Sequence, residues 1–304
     1  MSPLRSRSEP LMGTIVTIAL VINADSAGDG AAVTSSDTGD AVDRAFAWFR
    51  HVEARCSRFD PASELSGVSS APVKTPVPVS DLVFEALRFA LQVAEMSDGA
   101  FDPVVGAAMA ARGFNRHYAT GDAIATAGQH GEATFRDVLL DPGARTVTLQ
   151  TPLVLDLGAV AKGLAIDLAA KELATVGNFS IDAGGDLYLG GKNDEGEDWS
   201  VGIRHPRKDR AVIEVLRVSD CAVCTSGDYE RGRHLLNPSS GEPAAGLASA
   251  TVIAPTAMLA DAASTAAFVM GPVDGLAFCR EIGVHAILFT PGLERHETSG
   301  ARRQ

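Results

Sequence analysis

The sequence predicts an α+β fold, because short runs of β-branched residues are interrupted by isolated amphipathic helical stretches and no regular strand–helix–strand rhythm joins them. Residues 11–22, rich in Ile, Val and Thr, read as a strand, and 23–38, made of Ala, Gly, Ser, Thr and Asp, read as a loop. Val42, Ala45, Phe46, Phe49 and Val52 recur at helical spacing over 39–56. The same pattern returns over 80–96 behind Ser80 as N-cap, with Gly99 as the terminator. Asp141-Pro142-Gly143-Ala144 supplies a turn between strands at 138–140 and 146–149. A helix follows over 159–176, entered through Asp156-Leu157-Gly158 and ended at Gly177. Short strands are expected within 179–190, 199–204, 212–218, 222–226 and 250–254, a run that favours an antiparallel sheet. The chain then reads as a helix over 257–270, a shorter one over 273–282 and a strand at 285–290. The domain expectation is one unit over 11–290, built of two intimately packed lobes, with loose ends at 1–10 and 291–304.

Composition narrows the function classes. A net charge of -12 and a pI near 5.0 repel a phosphate backbone, so broad nucleic-acid binding is excluded and an anionic ligand must be held by local positive charge. Four scattered cysteines do not make a disulfide framework, and Cys221-x-x-Cys224 has no second pair to complete a zinc site, which leaves strand cysteines as its reading. No apolar h-region follows the arginines of residues 1–10 and no run reads as a membrane span. As written, the chain is expected in the cytoplasm, with an exported location if it has been trimmed. Walker, Gly-x-Ser-x-Gly and His-Glu-x-x-His signatures are absent.

Four segments carry candidate chemistry. In Leu155 to Gly163, small residues open a helix whose bare amides and Lys162 suit a pyrophosphate, although glycine turns before helices are common. Asp182-Ala183-Gly184-Gly185-Asp186 is either a close approach to a ligand or a tight bend with solvated carboxylates. Ser226, Asp228, Glu230 and His234 crowd hydrogen-bonding groups into one span, where His234 is either a general base or a solvent-facing strand histidine. Asp261 and Thr265, four apart on a helix, present two hard oxygens to one side, as a magnesium ion requires, unless the threonine bonds back to its own helix.

In this order the segments resemble the ApbE family of FAD:protein FMN transferases. Leu11-Met12-Gly13-Thr14, Cys56-Ser57-Arg58-Phe59-Asp60-Pro61, Ser63-Glu64-Leu65-Ser66 and Gly99-Ala100-Phe101-Asp102-Pro103 resemble that family's early motifs, so the likeness spans roughly 11–290. The resemblance implies a two-lobed α+β fold with FAD in the cleft. It implies that Lys162, Gly184 and Gly185 line the FAD site, with Met12, Phe59, Asp102, Asp182, Ser226, Glu230 and His234 near the flavin and nucleotide. It also implies a magnesium ion on Asp261, Thr265 and the carbonyl of Ala159. The implied reaction is transfer of FMN to a Thr or Ser hydroxyl of an acceptor flavoprotein with release of AMP, Asp261 and His234 being the catalytic candidates. Two alternatives use the same site: a pyrophosphatase giving FMN and AMP, and a non-catalytic FAD-binding protein. Asn237 stands where the family usually has aspartate, Phe59 where tyrosine is common and Leu164 where an aromatic is expected, and Arg231-Gly232-Arg233 is a short link to His234.

Overall fold

The computed structural model describes residues 4–21, 35–116, 118, 120–123, 133–229 and 235–298. Strands β1 (Leu4–Leu11) and β2 (Thr14–Val21) form a hairpin, closed by Met12 and Gly13 at φ 52° and 72°. Positive φ at both turn residues matches the twist of the two strands. Helix α1 (Ser35–Cys56) follows, then α2 (Glu64–Ser70), β3 (Val77–Pro78), α3 (Asp81–Met96) and α4 (Gly106–Ala111). Next come β4 (Val138–Asp141), β5 (Thr146–Leu149) and α5 (Gly158–Leu173). The remainder is β6 (Phe179–Ala183), β7 (Asp186–Gly190), β8 (Trp199–Arg204), β9 (Val212–Val218), β10 (Cys221–Gly227), β11 (Ser249–Ala254), α6 (Ala257–Glu281), β12 (His285–Phe289) and β13 (Arg295–Glu297).

Eight strands join in the order β1-β2-β6-β7-β10-β11-β12-β13, with every pairing antiparallel. Side-chain alternation divides this sheet cleanly. Tyr188, Ala222, Cys224, Ala250, Val252, Ala286 and Leu288 belong to the main core with α1, α5 and α6, whereas Leu189, Val223 and Ile253 pack with the β8–β9 ribbon on the other face. A smaller sheet, β3-β5-β4, contributes Val138, Val147 and Leu149 to the same main core, so both sheets and the helices share one apolar interior.

The ends differ from the sequence expectation. Residues 4–11 form the first edge strand and 295–297 the last, so neither segment is loose. Helix α1 starts at Ser35, earlier than expected, and the helices read at 257–270 and 273–282 run as one element, broken at Gly271 (φ 84°, ψ -174°) beside Pro272. At 25 residues α6 is long and apolar enough to cross a bilayer by composition, a property the sequence reading did not register, yet its buried side chains belong to the main core. Ser80 caps α3 by accepting from the Val83 amide at 3.4 Å, and Gly99 (φ 79°) follows its end.

Candidate active site

The helix–sheet interior opens into two adjoining hollows of about 260 and 380 Å³, which share Arg58, Phe59, Phe114, Asp156, Gly158 and Lys162 as a common wall. Together they are in the size range of a substantial ligand. The first also receives Asp102, Ala159, Gly184, Ser226, Asp261 and Thr265, and the second receives Met12. Residues more than two hundred positions apart in the chain therefore meet at one place.

Each contributor is positioned by local chemistry. The loop after α1 is tied down by Ser63, the α2 N-cap, whose Oγ accepts from the Ser66 amide at 3.0 Å and donates to the Ser57 carbonyl at 2.6 Å. That loop presents Arg58, buried at 8% exposure, with its guanidinium 4.2 Å from the Phe59 ring centre. Arg58 Nε donates to Asp156 at 2.6 Å, while the other Asp156 oxygen accepts the Gly158 amide at 2.7 Å. One carboxylate thus links Phe59's loop to the first turn of α5, where a hydrogen-bonded acid is favoured by the helix dipole. The turn departs from helical geometry at Ala159 (φ -95°, ψ 18°), on the wall of the first hollow.

Helices α5 and α6 cross closely because Gly163 has no side chain: a Cβ there would lie 2.5 Å from the Met258 backbone. This approach brings Lys162 Nζ to 3.2 Å from Asp261 Oδ2, and Lys162 also pairs with Asp186. Asp186 and Asp261 are buried. Ser226 Oγ lies 2.9 Å from Ser264 Oγ and 3.3 Å from Thr265 Oγ1, so hydroxyls continue the polar strip along α6. Asp261, Thr265 and the Ala159 backbone supply oxygen donors alone, and the described residues contain no cluster of three His, Cys, Asp or Glu fit for a metal. That set suits a hard cation sharing its remaining positions with water or phosphate rather than zinc.

Two expected site residues line neither hollow. Asp182 is exposed and accepts the Gly185 amide at 2.8 Å, closing the Gly184–Gly185 turn, where both residues have positive φ. The tight-bend reading holds for Asp182 and Gly185, while Gly184 does reach the first hollow, and a Cβ there would collide with Thr14. The carboxylate that faces inward is Asp186, which the sequence marks only as the second flank of the glycine pair, while Arg58 and Asp156 stand in motif segments without an assigned role. Glu230 and His234 lie outside the described residues. Cys221 and Cys224 are unpaired strand residues, and burial pushes the Cys221 thiol up to about 11 and Cys224 well above its usual value.

Asp102 accepts from the amides of Val104 at 2.8 Å and Phe135 at 3.1 Å. Burial nevertheless outweighs these bonds and raises its carboxyl from 3.8 to about 6. A folded-state value above the unfolded one favours the folded protein fully below about pH 4, and that contribution is lost as pH rises through about 6. Urea midpoints measured at pH 5 and pH 7 should therefore differ more for the wild type than for Asp102→Asn; equal differences would remove the assignment.

A family model described as the ApbE family matches residues 12–288. A Haemophilus influenzae protein named FAD:protein FMN transferase is 31% identical over 78% of this chain and 74% of its own length. A Treponema pallidum protein of the same name is 31% identical over 97% and 87%. Among solved structures, an ApbE protein of Thermotoga maritima superposes with a TM-score of 0.81 at 27% identity, covering 98% of this chain and 97% of that one. The fold is also that of a flavin transferase ApbE from Vibrio cholerae, with a TM-score of 0.82 at 24% identity over 98% of both chains. With its inward-facing Lys162, Asp261 and Thr265 arranged as described, and a family match across nearly its whole length, this chain belongs to the ApbE family.

Proposed function

We propose that this protein cleaves FAD and transfers the FMN half to a Thr or Ser hydroxyl of an acceptor flavoprotein, forming a phosphoester and releasing AMP with the help of magnesium. The observation that carries the reading is the convergence of Asp261, Thr265, Ala159 and Lys162 in one hollow whose wall continues through Phe59 into a second. Two linked hollows suit a dinucleotide, with the diphosphate beside the charged residues.

Magnesium, when bound, supplies charge withdrawal from the diphosphate and stabilisation of the departing AMP. Asp261, Thr265 and the Ala159 carbonyl are the residues that would hold it. Lys162 and the amides opening α5 offset the remaining negative charge on the substrate. Phe59 offers an aromatic face for a flavin ring. The acceptor oxygen forms its bond to the FMN phosphorus as the bond from phosphorus to the AMP oxygen breaks, and the hydroxyl proton passes to a base. We assign that base to His234, immediately before Leu235 and Leu236, which line the first hollow.

Flavin-linked peptides compared by mass spectrometry between cells with and without the protein identify the acceptor. With that acceptor in hand, AMP release from FAD and magnesium should depend on its presence; rapid release without it would replace transfer by hydrolysis. His234→Ala should lower transfer by about a hundredfold or more while FAD affinity changes little, as loss of a general base does. An equal loss of both would reject the base.

A further inference from the structure

Lys162 stands between two carboxylates that belong to different elements, Asp186 at the start of β7 and Asp261 in α6. The three side chains are only 17%, 7% and 8% exposed. Asp186 is fixed further by the Thr225 amide, which donates to its Oδ1 at 3.4 Å. One positive and two negative charges leave this enclosed group with a net charge of minus one. Lys162 and Asp261 line the same hollow with the ammonium 3.2 Å from Asp261 Oδ2, so a divalent cation that takes this carboxylate competes with Lys162 for it.

Burying an ion pair is tolerable, but stripping one partner from it strands a desolvated charge. Lys162 escapes this penalty only because it has a second anion. An ammonium has three donors on a flexible stem, so it can give up its bond to Asp261 and keep the one to Asp186. With Asp186 neutral, Asp261 would be the one ion-pair partner left to Lys162 among the described residues, and a cation taking Asp261 would have to displace a fully committed ammonium.

We propose that Lys162 is a tethered counter-ion of the cation site, and that Asp186 is the positioning residue that holds Lys162 when a divalent cation takes Asp261, thereby setting the site's cation affinity. The inference rests on the reading of Asp261 and Thr265 as cation ligands. It gives Asp186 a role distinct from ligation, and it gives Lys162 one that precedes any contact with substrate.

The test titrates Mn²⁺ into the flavin-free protein and follows unbound Mn²⁺ by electron paramagnetic resonance, with thermal melts to verify that each near-isosteric variant is folded. Lys162→Met raises the negative charge around the site and should tighten Mn²⁺ binding by about tenfold or more. Asp186→Asn removes the holding charge and should weaken binding by about tenfold. The double variant Lys162→Met, Asp186→Asn restores the original net charge and should return close to wild-type affinity. Equal Mn²⁺ affinity in all four proteins, or no detectable binding in any of them, overturns the proposal, which would leave a purely structural ion triad. Asp261→Ala separates the two levels of the argument. If it abolishes Mn²⁺ binding while Lys162→Met leaves affinity unchanged, the counter-ion falls and the cation site stands. If it leaves Mn²⁺ binding intact, both fall.

Discussion

Asp261→Ala is expected to reduce AMP release and FMN transfer by about a hundredfold or more, while FAD affinity changes by only a few fold, because the aspartate acts on charge that develops as the diphosphate bond breaks. The side chain is buried at 6% exposure and shares a hollow with Thr265, Lys162 and Ala159. Its removal does not strand Lys162, which keeps Asp186 as a partner, so the fold should survive with a melting temperature near that of the wild type. The substitution is therefore clean. Chromatography of released AMP, flavin fluorescence for affinity and a thermal melt together read it. Turnover at the wild-type rate would remove Asp261 from the reaction, and full turnover recovered only at much higher magnesium would locate its role in cation binding.

Much of this site was readable from the sequence because its parts are short local devices. Gly158, Lys162 and Gly163 announce a helix entry with a charge one turn inside, and Asp261 and Thr265 announce one face of a second helix. What spacing cannot supply is the partner of each group. Asp182 and Asp186 flank the same glycines, yet they face opposite ways, and strand alternation distinguishes them. Asp182 lies between the buried Ile181 and Ala183, so it points away from the core, whereas Asp186 pairs across the turn with Ala183 and shares its inward side. Applying that period would have selected Asp186. Arg58 carried no comparable signal, since its burial depends on Asp156, 98 positions later. The first strand was hidden for another reason. Leu4–Leu11 is an exposed edge with alternating charged and polar residues, and its register comes from the Met12-Gly13 turn and pairing to β2 rather than from an apolar stripe.

Gly163→Ala is expected to destabilise the protein by about 3 kcal/mol, at the upper end of what adding one methyl group to a packed interior costs. The new Cβ would lie 2.5 Å from both Cα and N of Met258, and backbone atoms cannot rotate away as a flexible side chain can. Relief requires α5 and α6 to separate, yet α6 is tied to α5 at this same point: Asp167 of α5 accepts the amides of Ala257 at 2.6 Å and Met258 at 3.0 Å. The same residue would therefore be pushed by one side chain of α5 and held by another. Because Lys162 precedes Gly163 and Asp261 follows Met258 by three positions, any separation also widens the 3.2 Å contact between the ammonium and the carboxylate. Stability and catalysis should consequently fall together, with a melting temperature lower by several degrees and AMP release reduced even at temperatures where the variant is fully folded. Asp261→Ala, in contrast, should lose catalysis with its stability preserved. A Gly163→Ala protein with unchanged melting and unchanged turnover would mean that the close crossing of the two helices does not set the geometry of the site.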